Sequence, residues 1–373
     1  MNLISARCGR MEDTMAITAA MVKELRELTG AGMMDCKKAL TETDGNMEAA
    51  VEVLKKSGAA KMEKKASRIA AEGITRVAIK DNTAVVTEVN SETDFVAKNE
   101  TFQEFVQLVA DNALASGLNG GKNGEDIEAL LDMNGLREVL VEKTATIGEK
   151  LSVRRFAKVT GDCVASYIHA GGKIGVILAA EGATDVNEAL TNVAMQIAAM
   201  NPEYISRADI APEAIDKMRE IIVDSSLNDP ASLPKPILNA LIEKACTEKV
   251  WSDEDIAIYE EKKSNMNYLF NFLSKEAAAA LTTLAMADKA NIVENKIFNG
   301  AVEGRVSKQL KDICLLDQAY VKAEDGKQTV GQYLKTVNAS LTLKEFVRFE
   351  TGEGIEKKQD DFAAEVAAQV AGN

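Results

Sequence analysis

Two stretches far apart in this chain repeat one apolar spacing: Leu151, Val153, Phe156 and Val159 in the first answer to Leu341, Leu343, Phe346 and Phe349 in the second. Each stretch closes a longer pattern. The first pattern begins from Ile74 with alternating Val77 and Ile79, turns at Asp81-Asn82, and returns through Val85 and Val86, the signature of a β-hairpin. Phe102, Phe105, Val106 and Val109 then recur at helical spacing behind Thr101-Phe102-Gln103-Glu104, which reads as a capping box. A glycine-rich run at 117–124 reads as a mobile loop, and a helix through Leu136, Leu140 and Val141 leads to the closing strand. The second pattern has strands at 163–169 and 173–179 joined through Gly171-Gly172, and a helix with Asp185 and Glu188 at capping-box spacing. Leu190, Val193, Ala194 and Ile197 form the stripe of that helix, and much later a helix through Val330 and Leu334 precedes the second closing strand. Duplication is the simplest account, and it predicts an α+β fold built on two related subdomains.

The two copies differ at one corner. Between strand and helix the second has only Glu181-Gly182-Ala183-Thr184, whereas the first carries the longer Thr93-Asp94-Phe95-Val96-Ala97-Lys98-Asn99-Glu100. Connection beyond what the fold requires, at a fixed corner, is where function tends to sit. Phe95 stands ahead of the helix start and is poorly placed for that helix's buried stripe. Two readings of it stand open: a residue that contacts another molecule, or a plug of satellite core, since large aromatics are usually buried.

Ahead of the first copy, residues 18–58 read as three short helices. Thr18 caps the first, with Met21, Val22 and Leu25 inward, and Gly30-Ala31-Gly32 breaks it; the second runs over 35–40; Asn46 caps the third, which ends at Gly58. So small a bundle buries little surface and commonly serves to dock on something. Met33 and Met34 beside two glycines suit an adaptable contact surface, or core filling for one of them. Lys55, Lys56, Lys61, Lys64, Lys65 and Arg68 form a basic stretch that reads as the solvated face of a helix. In the second copy a helical excursion at about 209–316 breaks the symmetry, with all five prolines at its approach and early part and Trp251 expected in its core.

A formal net charge of -14 argues against a duplex-binding protein, which needs clustered Lys and Arg to displace counterions. Five scattered cysteines (Cys8, Cys36, Cys163, Cys246, Cys314) show no metal-ligand or redox spacing and read as reduced cytosolic thiols. No apolar run approaches the roughly 18 residues that span a bilayer. The expected location is the cytoplasm, with no metal, no cofactor, no direct nucleic-acid contact and no membrane contact.

Lys23-Glu24-Leu25-Arg26, the run from Thr29-Gly30-Ala31-Gly32-Met33-Met34 to Asp35-Cys36-Lys37-Lys38-Ala39-Leu40, the Thr93-Asp94-Phe95-Val96-Ala97-Lys98 stretch and Gly352-Glu353-Gly354-Ile355-Glu356-Lys357 together closely resemble the bacterial elongation factor Ts family. The resemblance covers nearly the whole chain from Ile17. It implies a guanine nucleotide exchange factor for the translation GTPase elongation factor Tu, not an enzyme that makes bonds. By that analogy the partner is bound in its GDP-bound and nucleotide-free states, and Thr93, Asp94, Phe95 and Val96 dislocate its magnesium. Arg26, Met33, Met34, Ile147, Gly148, His169, Val321 and Lys322 match partner-binding positions, although Lys322 stands where some members carry Met. The implied layout is an N-terminal extension over 1–14, disordered or mis-assigned, and a UBA-like three-helix module with linker over 15–68. Core subdomains follow over 69–160 and 161–350, the second with a helical, coiled-coil-like insertion, and a C-terminal module with a helix at Asp360-Asp361-Phe362-Ala363-Ala364-Glu365-Val366 occupies 351–373. The insertion, about 224–292 in its enlarged part, is longer than the family's usual hairpin, which some members use for self-association, so a homodimer through it is a further partner that the resemblance raises.

Two rival readings remain on sequence alone. A non-catalytic adaptor would dock one protein through the three-helix module and another through the excursion. An enzyme built on His169 with Asp162 or Cys163 lacks an orienting set and a phosphate loop.

Overall fold

Val85, Val86 and Val89, flanked by residues of high strand preference, place β1 (Glu72–Lys80) and β2 (Thr83–Ser91) as an antiparallel hairpin. Its two-residue turn has Asp81 at a positive φ of 53°. β3 (Ser152–Thr160) pairs with the far side of β2, giving the order β1-β2-β3. β4 (Cys163–His169), β5 (Ile174–Glu181) and β6 (Thr342–Glu350) form a second sheet in the same way, in the order β4-β5-β6. Both sheets carry their irregularity at the same place. The register slips where Glu88 faces Arg155 and Val89 faces Val153, and again where Ala179 faces Glu345 and Ala180 faces Leu343. Arg155 and Glu345, like Val153 and Leu343, are equivalent in the repeated spacing, so the duplication extends to the backbone distortion.

This computed structural model describes residues 17–356. The expected N-terminal extension and the helix at Asp360 to Val366 lie outside the described residues. The chain divides into two units, one comprising the described residues up to Ala199 together with those from Leu334, the other Met200–Tyr333. No helix among the described residues is long and apolar enough to cross a membrane.

In the first unit, α1 (Ala19–Thr29), α2 (Met33–Glu42) and α3 (Met47–Lys65) enclose a small core of Val22, Leu25, Cys36, Ala39, Leu40 and Ala50. Thr18 and Asn46 cap as expected, each accepting a backbone N–H of its first turn. The third helix does not end at Gly58. It continues to Lys65, because Gly58 is a close-approach position: a Cβ there would meet Val141 Cγ1 at 3.2 Å.

One face of the first sheet is covered by α5 (Glu100–Ala115), α6 (Ile127–Leu131) and α7 (Leu136–Ile147), with Phe102, Phe105, Val106, Val109 and Phe156 buried between. Each such side chain contributes about 1.5–3 kcal/mol through burial. Its other face meets the second sheet through Ala84, Val86, Ala157 and Val159 against Val164, Ile177, Ala179 and Phe349. α8 (Asn187–Met200) buries the expected Leu190, Val193, Ala194 and Ile197. Three local expectations shift. α5 is capped by Asn99, whose Oδ1 accepts Phe102 N–H at 3.2 Å, rather than by Thr101. α8 starts at Asn187, two residues after Asp185. The 117–124 run is tied to the edge of β3, Gly121 N–H donating to Phe156 O at 2.8 Å and Lys158 N–H to Asn119 O at 3.0 Å, because a free strand edge satisfies loop backbone groups as readily as another strand.

The second unit is a small bundle with its own core. α9 (Pro212–Asn228), α10 (Lys235–Thr247), α11 (Asp253–Lys262), α12 (Lys275–Ala287), α13 (Lys289–Glu294) and α14 (Lys296–Ile313) bury Leu227, Leu241, Ile242, Leu281 and Phe298. Trp251 lies in that core and its indole N–H donates to Ala277 O at 3.0 Å. α15 (Val330–Val337) leads back toward β6.

The two subdomains are locked by a buried charge. Glu88, fully buried on β2, accepts Arg155 Nε at 2.5 Å, Arg154 at 2.9 Å, Asn90 Nδ2 at 3.2 Å and Gly352 N–H at 2.8 Å. Arg155 also donates to Glu350 O and to the Glu353 carboxylate, and lies 4.2 Å from the Phe349 ring centroid. Gly352 has a φ of +74° and a Cβ there would fall 2.1 Å from Ala71 O, so no other residue fits the turn. Removing one partner of a buried pair strands the other in low dielectric. Glu88→Ala is therefore expected to lower the unfolding free energy by about 3–5 kcal/mol in urea titration; a loss below about 1 kcal/mol, the range of an exposed pair, contradicts the lock.

Candidate partner-binding surface

Where β2 ends, the chain makes one helical turn, α4 (Asp94–Ala97), before α5 begins. The turn has two sides. Val96 and Ala97 pack against the first subdomain's core, while Phe95 projects away from it with 79% of its surface exposed. The satellite-core reading of Phe95 is thereby overturned: none of the described residues encloses the ring. Lys98 Nζ donates to Asp94 Oδ2 at 2.9 Å and lies 5.9 Å from the Phe95 ring centroid. The hydrogen bond from Lys98, and then the charge of the same ammonium, hold the Asp94 carboxyl below the usual carboxylate range, with Lys173 adding a smaller push in the same direction.

The root of the turn is held from another element. Gly148 is the left-handed cap that stops α7, and Glu149 follows it directly. One carboxylate oxygen of Glu149 accepts both Glu92 N–H and Thr93 N–H at 3.0 Å, and the other accepts the Thr93 hydroxyl at 2.6 Å. Glu92 answers by accepting Lys150 N–H at 2.6 Å and Arg68 at 3.2 Å. Lys150 Nζ in turn donates to Ala66 O and Arg68 O, at 2.7 and 2.8 Å, just beyond the end of α3. Sequence reasoning missed Glu92, Glu149 and Lys150. The only local signal was an acid directly after the helix-stopping Ile147-Gly148, and its partners are 56 and 57 residues away.

Several of the residues singled out by sequence lie in this same unit. Ile147 is half-buried against the core and Gly148 is exposed, both beside the Glu149 clasp. His169 is exposed at the end of β4, its Nδ1 3.2 Å from Tyr167 Oη. The hairpin that follows is fastened to β1, Gly172 O accepting the Thr75 hydroxyl at 2.8 Å, and Lys173 in that hairpin gives Asp94 the smaller push that adds to that of Lys98. The β4–β5 tip and the Phe95 turn thus share one end of the paired sheets. Arg26 is exposed in the last turn of α1, and Met33 and Met34 are exposed by 59% and 76% in the first turn of α2. Both methionines serve as surface and neither as core. Val321 and Lys322 belong to the second unit, where both are exposed.

The arrangement offers no bond-making chemistry around His169: Cys163 is buried at the other end of β4 with its thiol 3.1 Å from Asn187 Oδ1, and Asp162 accepts Gly182 N–H. Among the described residues no group of acids, cysteines and histidine is placed to hold a metal. What the surface offers is a supported, exposed aromatic beside a carboxylate. Lys98→Ala is expected to raise the Asp94 titration midpoint, read from its carboxyl carbon by NMR; because the folded value is depressed, this pairing helps the fold above the unfolded carboxyl's midpoint and is lost as pH falls. An unmoved midpoint shows that the pair does not persist in solution.

The family model described as elongation factor TS matches residues 92–353, and the chain belongs to that family of translation elongation factors.

Proposed function

We propose that this member of the elongation factor Ts family is a guanine nucleotide exchange factor for elongation factor Tu, and that the Phe95 turn is the part that acts on the nucleotide site. The observation that carries this reading is an aromatic ring exposed by 79% on a turn whose root is fixed by three hydrogen bonds to Glu149. A ring so exposed gains nothing from its own fold. It gains about 1.5–3 kcal/mol when a partner's crevice buries it.

Exchange by such a factor is linkage, not bond chemistry. Binding of the factor weakens nucleotide affinity by some ratio, and nucleotide weakens binding of the factor by the same ratio. Magnesium bridges nucleotide phosphates to a GTPase, so moving the groups that hold it removes a large local charge. Thr93, Asp94, Phe95 and Val96 are assigned to that displacement. Arg26, Met33 and Met34 on the three-helix module, Ile147 and Gly148 at the end of α7, His169 in the second subdomain, and Val321 with Lys322 in the second unit are assigned to partner binding. Spreading contacts in this way suits the energetics, since one phenyl ring supplies only one or two decades of effect. The place of action is the cytoplasm, where translation elongation runs.

Phe95→Ala is expected to slow GDP release from elongation factor Tu roughly tenfold, a decade being about 1.4 kcal/mol, while leaving the factor's own melting temperature in place. Stopped-flow release of a fluorescent GDP measures this, and an unchanged rate contradicts the assignment. His169→Ala is expected to weaken partner affinity in titration calorimetry. An adaptor would give tight binding with no change in the nucleotide off-rate.

A further inference from the structure

The exposed ring can act as a lever only if its root does not yield, and that root is a clasp between two distant segments. The backbone N–H groups of Glu92 and Thr93 are both taken by the Glu149 side chain, and the backbone N–H of Lys150 is taken by the Glu92 side chain. Each segment thus holds the other by a carboxylate on a main-chain donor. Thr93 stands in the N-cap position of α4 but makes no side-chain cap bond to that turn; its hydroxyl is spent on Glu149 at 2.6 Å. The direction in which α4 leaves β2 is therefore fixed in part by a residue of α7's exit, together with the local bond from Ser91 Oγ to Thr93 O at 3.0 Å.

The clasp reaches further. Arg68 bonds Glu92, and Lys150 Nζ bonds the carbonyls of Ala66 and Arg68, so the segment leaving the three-helix module is fastened to the same four residues. α3 itself rests on α7, with Gly58 against Val141 and Lys65 Nζ donating to Thr144 O at 3.4 Å.

We infer that Glu149 is a positioning residue for nucleotide exchange: through Thr93 and Glu92 it fixes the angle of the Phe95 turn, and through Lys150 it couples that angle to the linker of the three-helix module. Its carboxylate is taken up by bonds within the chain, to the backbone of Glu92 and Thr93 and to the Thr93 hydroxyl. This rests on the exchange reading above and assigns the part of the molecule that keeps the lever stiff. Charge-assisted hydrogen bonds to backbone N–H groups are strong and directional, which suits a stiff root better than apolar packing does. The coupling also gives a reason for the basic residues at the end of α3, where a solvated face alone would explain only their charge.

The test is a double-mutant cycle on GDP release from the proposed GTPase, with full-length chain and saturating factor. Glu149→Ala is expected to reduce the maximal release rate about tenfold with little change in affinity for the nucleotide-free GTPase, whereas Glu149→Gln, which keeps an accepting oxygen, recovers most of the rate. In a Phe95→Ala background Glu149→Ala is expected to add little, because a mispointed methyl costs no more than a well-pointed one. Additive losses, or equal losses in affinity and rate, overturn the positioning role in favour of general destabilisation. Thr93→Val provides a second variant that removes only the 2.6 Å bond, for use if Glu149→Ala fails to fold; a wild-type rate in Thr93→Val together with unaltered amide exchange at Thr93 also overturns it. If the wild-type chain does not accelerate release at all, the exchange reading fails and the cycle is not reached, so the two failures are told apart.

Discussion

A carboxylate with no solvent contact survives in a protein only where cations and N–H donors replace its water, and Glu88 is such a group. Its donors come from two subdomains at once. Arg154 and Arg155 belong to β3 of the first copy, whereas Gly352 N–H lies in the turn that follows β6 of the second. The Arg155 guanidinium, lying over the Phe349 ring and bonded to Glu350 O and Glu353, carries the same connection outward. Two sheets that face each other through small apolar residues such as Ala84, Ala157 and Ala179 could slide. A fixed charge with fixed donors denies them that freedom, since any slip would leave an ion unpaired in low dielectric.

That fixed pair of sheets also carries the root of the turn that exposes Phe95. The Phe95 turn leaves the end of β2 three residues after Asn90, whose amide bonds Glu88 and Glu72 O, so its root begins inside the locked region. α7 supplies the second support. One side of it receives α3 at Gly58, and its last turn delivers Glu149 to the turn's backbone. A single helix therefore meets both the three-helix module and the root of the Phe95 turn, and Lys150, just after it, bonds the carbonyls of Ala66 and Arg68 beyond the end of α3.

The parts of this fold that were legible in the sequence are those written in periodicity or local capping. Val77, Ile79, Val85 and Val86 announced the hairpin; Phe102, Phe105, Val106 and Val109 announced the inner stripe of α5; and the matched spacing of β3 and β6 announced the duplication. What could not be read depends on partners remote in the chain. Gly58 has the residue type of a helix stop, and only the arrival of Val141 shows that it is a contact. Thr101 and Asn99 compete for the same capping role, and the competition is decided by the geometry of the preceding turn. The 117–124 run has the composition of a mobile loop, yet the unpaired edge of β3 gives its backbone a partner. Phe95 was legible as surplus at an outward-facing corner, with burial left open beside it because large aromatics are usually buried, and the structure exposes it.

Duplication also supplies an internal control for the clasp. In the second copy the matching corner has Gly182 where the first has the end of β2, and Gly182 sits so close to the chain entering β6 that a Cβ would fall 2.2 Å from Ser340 O. Its N–H is taken by Asp162 at 2.9 Å, a residue at the start of the adjacent strand. There the corner is closed by backbone contact and one local carboxylate, and the chain turns directly into α8. In the first copy the same junction cannot close so tightly, because the extra turn must leave it. Ser340, which meets Gly182 in one copy, is matched in the other by Lys150, and beside it Glu149 bonds the backbone at the root of the inserted turn. The copy with the inserted turn therefore differs from the other at two places together, the turn and the residues that bond its root. Both corners hold a backbone N–H with a carboxylate, a local one from Asp162 in the second copy and one from Glu149, 56 and 57 residues away, in the first.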